Sequence, residues 1–345
     1  MKLKIFFILI LLNLIFFSEY IFAQKPDSLK NKTNDTTHVD SFYSNICLTG
    51  LLVGRTFDFT ISHPYLKNVS NTPTVNYTTV LPANVGLAFD YKWLSLEYTV
   101  GLQTGINQEA SWQRSFRTGL TGKRIWAKVF WQEYRGFKNL ALDTITTLPN
   151  TPQVSNLRND IYAQMAYVSV MYAFNKKTYS HLASMFQVDR QRKSAGTWAA
   201  GISYVRNYIQ ADSALIQYNY EKKDANLDIK RVGSGFVSLQ GGYAHTFVIR
   251  AKWFFHFSLF PAISMQNNHI RFVNERFQRF TFVYGFNNEF QSSFGFNNDK
   301  FFAGIKIKSL MFIDNLDNDG FYSYNLTQFR FFVGLRLHKK YKLFF

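Results

Sequence analysis

The sequence predicts an all-β protein: a transmembrane antiparallel β-barrel of about twelve strands, with fourteen as the other count it allows. Three observations carry this. Side chains alternate with a period of two over stretches longer than ordinary globular strands. Aromatic residues reach 18% of the chain while mean hydropathy is only -0.15, so apolar and polar residues are interleaved rather than blocked. Tight cationic turns alternate with long polar links, as in barrels with one short-turned rim.

The clearest alternation is "FTFVYGFNNEFQSSFGF", residues 280–296, with rings at Phe280, Phe282, Tyr284, Phe286, Phe290, Phe294 and Phe296. Between them stand Thr281, Val283, Gly285, Asn287, Glu289, Gln291, Ser293 and Gly295. Alternate side chains of a strand point to opposite faces, so the rings are expected on one face, against acyl chains. A soluble β-sandwich also alternates, but its strands are shorter and need few outward phenylalanines.

At the start, Lys2 and Lys4 precede an apolar run from Ile5 to Phe17, followed by a polar break and a cleavage point after Ala23. This reads as a signal peptide over 1–23, because the run is too short to span a bilayer. Residues 24–42 are polar and aperiodic and read as a flexible periplasmic lead-in; 43–345 is read as the barrel. Cys47, the single cysteine, has no partner for an internal disulfide and reads as a small apolar strand residue. The formal charge of +17 would suit nucleic acid, but export and the scattered cations argue against it and favour an anionic lipid surface.

Strands are expected at 46–61, 83–91, 94–104, 110–119, 124–136, 160–174, 180–191, 196–209, 232–248, 252–266, 278–296, 300–313 and 325–338, with no credible helix. The tight links are "YKWL", "TGKR", "NKKT", "RAKW" and "NNDK"; the long ones are 62–82, 138–159, 210–231 and 314–324. If both chain ends leave by one rim the strand number is even, so one of these thirteen segments is surplus. The suspects are 104–120, as a rim excursion, and 180–209, folded differently around "RQRKSAG". The chain ends on an aromatic residue, Phe345, after an amphipathic strand, a pattern that the barrel-assembly machinery reads.

The faces of the later strands agree with a lipid wall and a wet lumen. Trp253, Phe255, Phe257 and Leu259 share one face, opposite Phe254, His256, Ser258 and Phe260; Phe329, Phe331, Val333 and Leu335 oppose Arg330, Gly334 and Arg336. A charge is costly against lipid and tolerated in a lumen, which assigns Lys128, Lys306, Lys308, Arg330 and Arg336 to the interior. An open basic lumen would favour anions. A filled one would pair these cations with Glu289, Asp90 or Glu97 and brace the wall.

The segment "FQVDRQRKSAGTWAAGISY" carries a resemblance: Gln191, Arg192, Lys193, Ser194, Ala195 and Gly196 match the recurring pattern of a Bacteroidota family of uncharacterised outer-membrane β-barrels, domain of unknown function 4421. "NVGLAFDYKWLSLEY", "WQEYRGF" and "YAFNKKTYSHLASMF" match further, so the resemblance spans most of the mature chain. It implies a barrel and an outer-membrane location and no reaction. Read by itself, "RQRKSAG" is a solvated rim turn, or an inward-folded segment in which Asp189 pairs with Arg190 or Arg192 and narrows the lumen.

Two constellations could carry chemistry. His256, Ser258 and Asn268 have a spacing similar in one respect to outer-membrane phospholipase, with histidine as base, serine as nucleophile and asparagine orienting the imidazole. His256 and Ser258 fall on the lumen face, however, whereas a lipid hydrolase needs its nucleophile toward lipid. "NLDNDG", with Asn315, Asp317 and Asp319, opens like a calcium loop but has Leu326 where the bidentate glutamate belongs. The expectation is a non-enzymatic outer-membrane barrel without cofactor or metal, closed or narrow. Its expected partners are outer-membrane lipids and lipopolysaccharide, and the assembly machinery during insertion; no nucleic acid is expected.

Overall fold

A computed structural model describes residues 38–62, 74–80, 83–103, 111–140, 157–216, 228–250, 252–274, 277–316 and 320–337, with side chains omitted at 278–282 and 314–321. The signal-peptide reading and most of the 24–42 lead-in lie outside these residues. Among the described residues fifteen strands and one short helix follow in order. They are β1 (Val39–Ser41), β2 (Ile46–Ser62), β3 (Thr74–Thr79), β4 (Ala83–Tyr91), β5 (Leu94–Gly101), β6 (Trp112–Thr121), β7 (Ile125–Asn139) and β8 (Leu157–Ala173). After α1 (His181–Met185) come β9 (Asp189–Gln191), β10 (Ala195–Gln210), β11 (Ile229–Ile249), β12 (Trp253–Phe272), β13 (Phe277–Asn297), β14 (Phe301–Leu316) and β15 (Gly320–Leu337).

Twelve strands close into an antiparallel barrel in the ring order β2, β4, β5, β6, β7, β8, β10, β11, β12, β13, β14, β15, the last returning to β2. The closing seam runs from Leu337 opposite Ile46 to Phe321 opposite Ser62. Closure removes the two free sheet edges that an open twelve-stranded sheet would expose. Among the described residues no helix is long and apolar enough to cross a membrane.

The ring changes size along its axis. At the end carrying the tight turns β2 pairs with β4, from Ile46 opposite Tyr91 to Gly54 opposite Ala83. Toward the other end, that of the long links, β2 pairs with β3 instead, and β3 pairs directly with β7. The β5–β6 hairpin therefore stops part-way up, and β3 closes the wall above it. At the changeover β7 bulges at Gly136, whose φ of 90° suits glycine. A Cβ placed there would lie 2.7 Å from the Cβ of Ser111, so the missing side chain admits the hairpin's end.

The surplus one of the thirteen expected strands is 180–191. Residues 180–191 form α1 and the three-residue β9 inside the turn end, because Leu182, Ala183, Met185 and Val188 have an enclosed apolar surface to bury in. The even count of twelve follows. β1 is a second correction: part of the expected flexible lead-in pairs with β9, Val39 opposite Gln191 and Ser41 opposite Asp189. The expected "NKKT" turn starts this inserted link rather than a hairpin.

The faces fall as predicted along β12, where Trp253, Phe255, Phe257 and Leu259 are outward and Phe254, His256, Ser258 and Phe260 are buried inside. On β13 Tyr284, Phe286 and Phe294 are exposed while Asn287, Glu289, Gln291 and Ser293 are buried. The register slips opposite Gln266 and Asn267, breaking the strict alternation; the side chains of Phe280 and Phe282 lie outside those described. A slip of one residue exchanges the faces of everything beyond it.

Candidate functional site: a lumen filled in three layers

Toward the loop end the interior is apolar. Phe57 stacks on Tyr134 and Tyr324 with centroids 5.1 and 5.9 Å apart, and Phe312 stacks on Tyr324 at 4.6 Å. Phe59, Phe137, Ile209, Phe236 and Leu326 are buried in the same cluster. Offset ring pairs at these spacings gain energy beyond their buried area. This aromatic layer is the feature sequence reasoning missed. Its signal was available in Phe57 and Phe59 on one face of β2, and in Tyr322 and Tyr324 on one face of β15.

The middle layer is charged, and it gathers three of the five predicted basic residues, Lys128, Lys308 and Arg330. Arg330 on β15 reaches Glu97 on β5 through two hydrogen bonds of 2.7 and 2.8 Å, and Arg117 on β6 donates to the same carboxylate. Arg55 on β2 donates to Thr99 at 3.1 Å, and the Thr99 hydroxyl bonds Ser115 at 2.8 Å. On the far wall Lys128 pairs with Glu289, which also accepts from Tyr167 at 2.8 Å and lies 3.7 Å from Lys308. Lys306 is turned to a different task described below. Glu97 and Glu289 are thus the partners expected for a filled lumen, whereas Asp90 accepts from Ser95 instead. Buried charges persist when paired and hydrogen-bonded.

The third layer, at the turn end, is an inward-folded plug made of the 174–194 link. Ser180 caps α1 by accepting from the Ala183 N–H at 3.2 Å, and its own hydroxyl donates to Asp189 at 2.6 Å. His181 lies flat on Trp126, ring centres 4.0 Å apart and planes within 9°. Leu182 and Val188 pack with Cys47, Leu51, Val53, Phe254, Phe302 and Phe332. Two lumen cations hold the plug by its carbonyls. Lys306 Nζ donates to Met185 O at 2.6 Å, and Arg336 Nε donates to Gln187 O at 3.2 Å. Asn297 adds a bond from Nδ2 to Asp189 O at 3.0 Å.

The family-motif residues divide between plug and rim. Gln191 is buried; its side-chain oxygen accepts from Ser180 N at 3.1 Å and its amide donates to Thr178 O at 2.6 Å. Arg192, Lys193 and Ser194 are exposed, and Ala195 and Gly196 begin β10. The solvated-turn reading therefore fails for the first part of the segment. The inward reading holds with different partners: Arg190 pairs with Asp40 of β1 and with Asp299, each at 2.6 Å, while Asp189 takes the Ser180 hydroxyl. Burial raises the Asp189 carboxyl above its ordinary value. Burial, with Lys128, His256 and Lys306 nearby, pushes His181 well below the ordinary imidazole range.

The three hydrolase candidates do not form a triad. His256 and Ser258 are buried inside the barrel, and His256 Nδ1 shares a hydrogen bond of 3.0 Å with Thr246. Asn268 sits on the same strand β12, twelve residues on, which at the rise of a strand is roughly 40 Å from His256. Of the calcium-like segment, residues 317–319 lie outside those described; among the described residues no group of three or more histidine, cysteine or carboxylate side chains could hold a metal.

Comparison with solved structures returns barrels at very low identity. The outer membrane protease OmpT from Escherichia coli shares 9% identity with a TM-score of 0.36, over 85% of this chain and 96% of that one. The CymD monoaromatic hydrocarbon channel shares 10% with a TM-score of 0.27, over 86% and 90%. The toluene transporter TodX from P. putida shares 6% with a TM-score of 0.26, over 86% and 91%. No curated protein matches. One family model does match, over residues 33–337, and it takes in the barrel, the plug and β1 together. The chain belongs to the family described as domain of unknown function DUF4421.

Proposed function

We infer that this chain is an outer-membrane barrel of a Gram-negative bacterium whose interior is closed, and that it acts as a structural or surface barrel rather than as a channel or an enzyme. The observation that carries the reading is the lumen. Glu97, Glu289, Lys306, Lys308 and Arg330 are all at most 6% exposed, although they line the inside of a twelve-stranded ring. A water-filled pore would wet the charges along its wall, so their dryness supports a closed lumen over the anion-channel reading. The outward rows of Leu, Ile, Val and Phe support the membrane setting. The motif resemblance points to a Bacteroidota source, and lipids, lipopolysaccharide and the assembly machinery are the partners this reading implies.

Cys47 provides the test, since it is the single cysteine, fully buried beneath the plug, on a strand of the wall. Membranes are fractionated and treated with a membrane-impermeant maleimide. The reading expects the protein in the outer-membrane fraction, with Cys47 labelled only after unfolding. Rapid labelling of the folded protein would show a water-filled mouth reaching the plug's inner face and would end the closed-barrel reading.

A further inference from the structure

We propose that the turn end of the barrel carries a collar that binds the phosphates of anionic phospholipid in the adjacent leaflet. The proposal rests on the membrane setting above and adds a lipid class to it. Every tight turn at this end contributes cations. Lys92 stands in the β4–β5 turn, Lys123 and Arg124 in β6–β7, Arg250 and Lys252 in β11–β12, and Lys300 in β13–β14. The plug link adds Lys176 and Lys177 on one side and Arg192 and Lys193 on the other, all four exposed.

Among the described residues the cations of this end outnumber its acids. Asp299 pairs with Arg190, Asp40 with Arg190 and, at 3.5 Å, with Arg192, and Asp90 and Asp189 are buried. The loop end contrasts with this: Asp58, Asp160 and Asp212 there lie among Arg135, Arg158 and Arg231.

Two of the cations occupy backbone positions that favour glycine. Lys92 has φ 52° and Arg250 has φ 50°, in the left-handed region where an L side chain is uncommon. Turn formation alone would select glycine or asparagine there. Long cations at these positions, at a conformational cost, point to a use for the side chain.

The height of the collar selects the partner. Lys252 directly precedes the exposed Trp253, Lys300 directly precedes the exposed Phe301, and Lys176 stands two residues beyond the exposed Phe174. Arg124 donates to the Tyr172 hydroxyl at 3.2 Å, with its guanidinium 6.0 Å from that ring. Aromatic belts sit at headgroup level, so flexible cations one or two residues beyond them reach lipid phosphate rather than a distant soluble ligand. Lipids with net negative charge are favoured over zwitterionic ones by the surplus of positive charge.

The experiment inserts the full chain into vesicles of phosphatidylethanolamine containing a minority of phosphatidylglycerol, extracts it mildly, and measures by mass spectrometry which lipids stay bound. The collar predicts phosphatidylglycerol enriched about fivefold or more over its share in the vesicle. The enrichment should fall toward that share in high salt, and in a variant with Lys176→Gln, Lys177→Gln, Lys252→Gln and Lys300→Gln. Retention in proportion to the vesicle composition, or enrichment indifferent to both salt and the four substitutions, overturns the proposal and leaves the barrel reading standing. The salt arm needs no variant, so a folding defect in the substituted chain does not shield the claim. Failure of the unmodified chain to insert into either lipid overturns the membrane reading itself, and the collar with it.

Discussion

Arg330 and Glu97 meet inside the barrel across the two strands that separate them, β2 and β4, in a bidentate pair with bonds of 2.7 and 2.8 Å. Because Arg117 donates to the same carboxylate, one buried glutamate ties β5, β6 and β15 together. Charge, geometry and position coincide here, and each has a measurable consequence.

Replacing Glu97 with Gln leaves Arg330 and Arg117 buried without their anion. The expected loss is about 3 to 5 kcal/mol, the usual cost of breaking a buried pair from one side. It is read from the denaturant midpoint of folded-barrel mobility on cold gels. Arg330→Met added to Glu97→Gln should recover part of the loss, because one stranded charge is removed. Equal or greater loss in the double variant would show that the pair is not the unit of stability.

Arg336 tests how the plug is held. Its side chain bonds Gln187 O, and through Asn297 Oδ1 at 2.6 Å it braces a residue that itself bonds the plug. Arg336→Ala should leave the barrel closed by its ring pairing while the plug opens more often. Cys47 would then react with an impermeant maleimide about tenfold faster or more, given about 1.5 to 3 kcal/mol for charge-assisted bonds. Unchanged labelling with unchanged stability would mean that packing of Leu182 and Val188 alone seats the plug.

Acidification should loosen the same element. His181 is held neutral in its buried place, with a pKa well below its ordinary 6.5; once undocked it takes up a proton at that ordinary value. Its contribution to docking is therefore present above pH 6.5 and is lost as pH falls below it. Asp189 acts in the other sense, its raised carboxyl favouring the docked state at low pH and losing that contribution as pH rises above 3.8. Lys128, His256 and Lys306 face His181 as cations or potential cations, with Glu289 opposing them. Amide exchange across 178–191, corrected for intrinsic rates, should quicken between about pH 6.5 and 5. His181→Phe, which keeps a ring against Trp126, should flatten that dependence; a dependence surviving the substitution would assign it to another group.

The alternation made most of the wall legible. Strand periods placed β2, β4 and β10 to β14 within a few residues at most bounds, because one face of each meets an apolar surroundings and the other does not. Three features were hidden for physical reasons. β3 lay in an expected loop, since "TVNYTT" shows only Val75 and Tyr77 as its inward pair. The end of β12 was cut short at 266 because "NNHI" has the polarity of a loop, although Asn268 and Ile270 are buried on the inner face. The plug carried a strand-like pattern over 180–191 because Leu182, Val188 and Gln191 must be buried, and periodicity does not say against which element. The basic lumen was legible from cost alone, since Lys306, Arg330 and Arg336 have nowhere else to go on lipid-facing strands. Their pairing with Glu97 and the plug carbonyls depends on closure between residues more than a hundred apart in sequence.

The central claim is that three packed layers close the barrel from end to end. Single-channel recording in a planar bilayer, with protein shown to be folded by its gel mobility, tests it most directly. The account predicts no discrete conductance steps in symmetric salt, for the natural chain and for Lys306→Glu alike. Steady, anion-selective steps carried by the natural chain and weakened by Lys306→Glu or Lys308→Glu would contradict it.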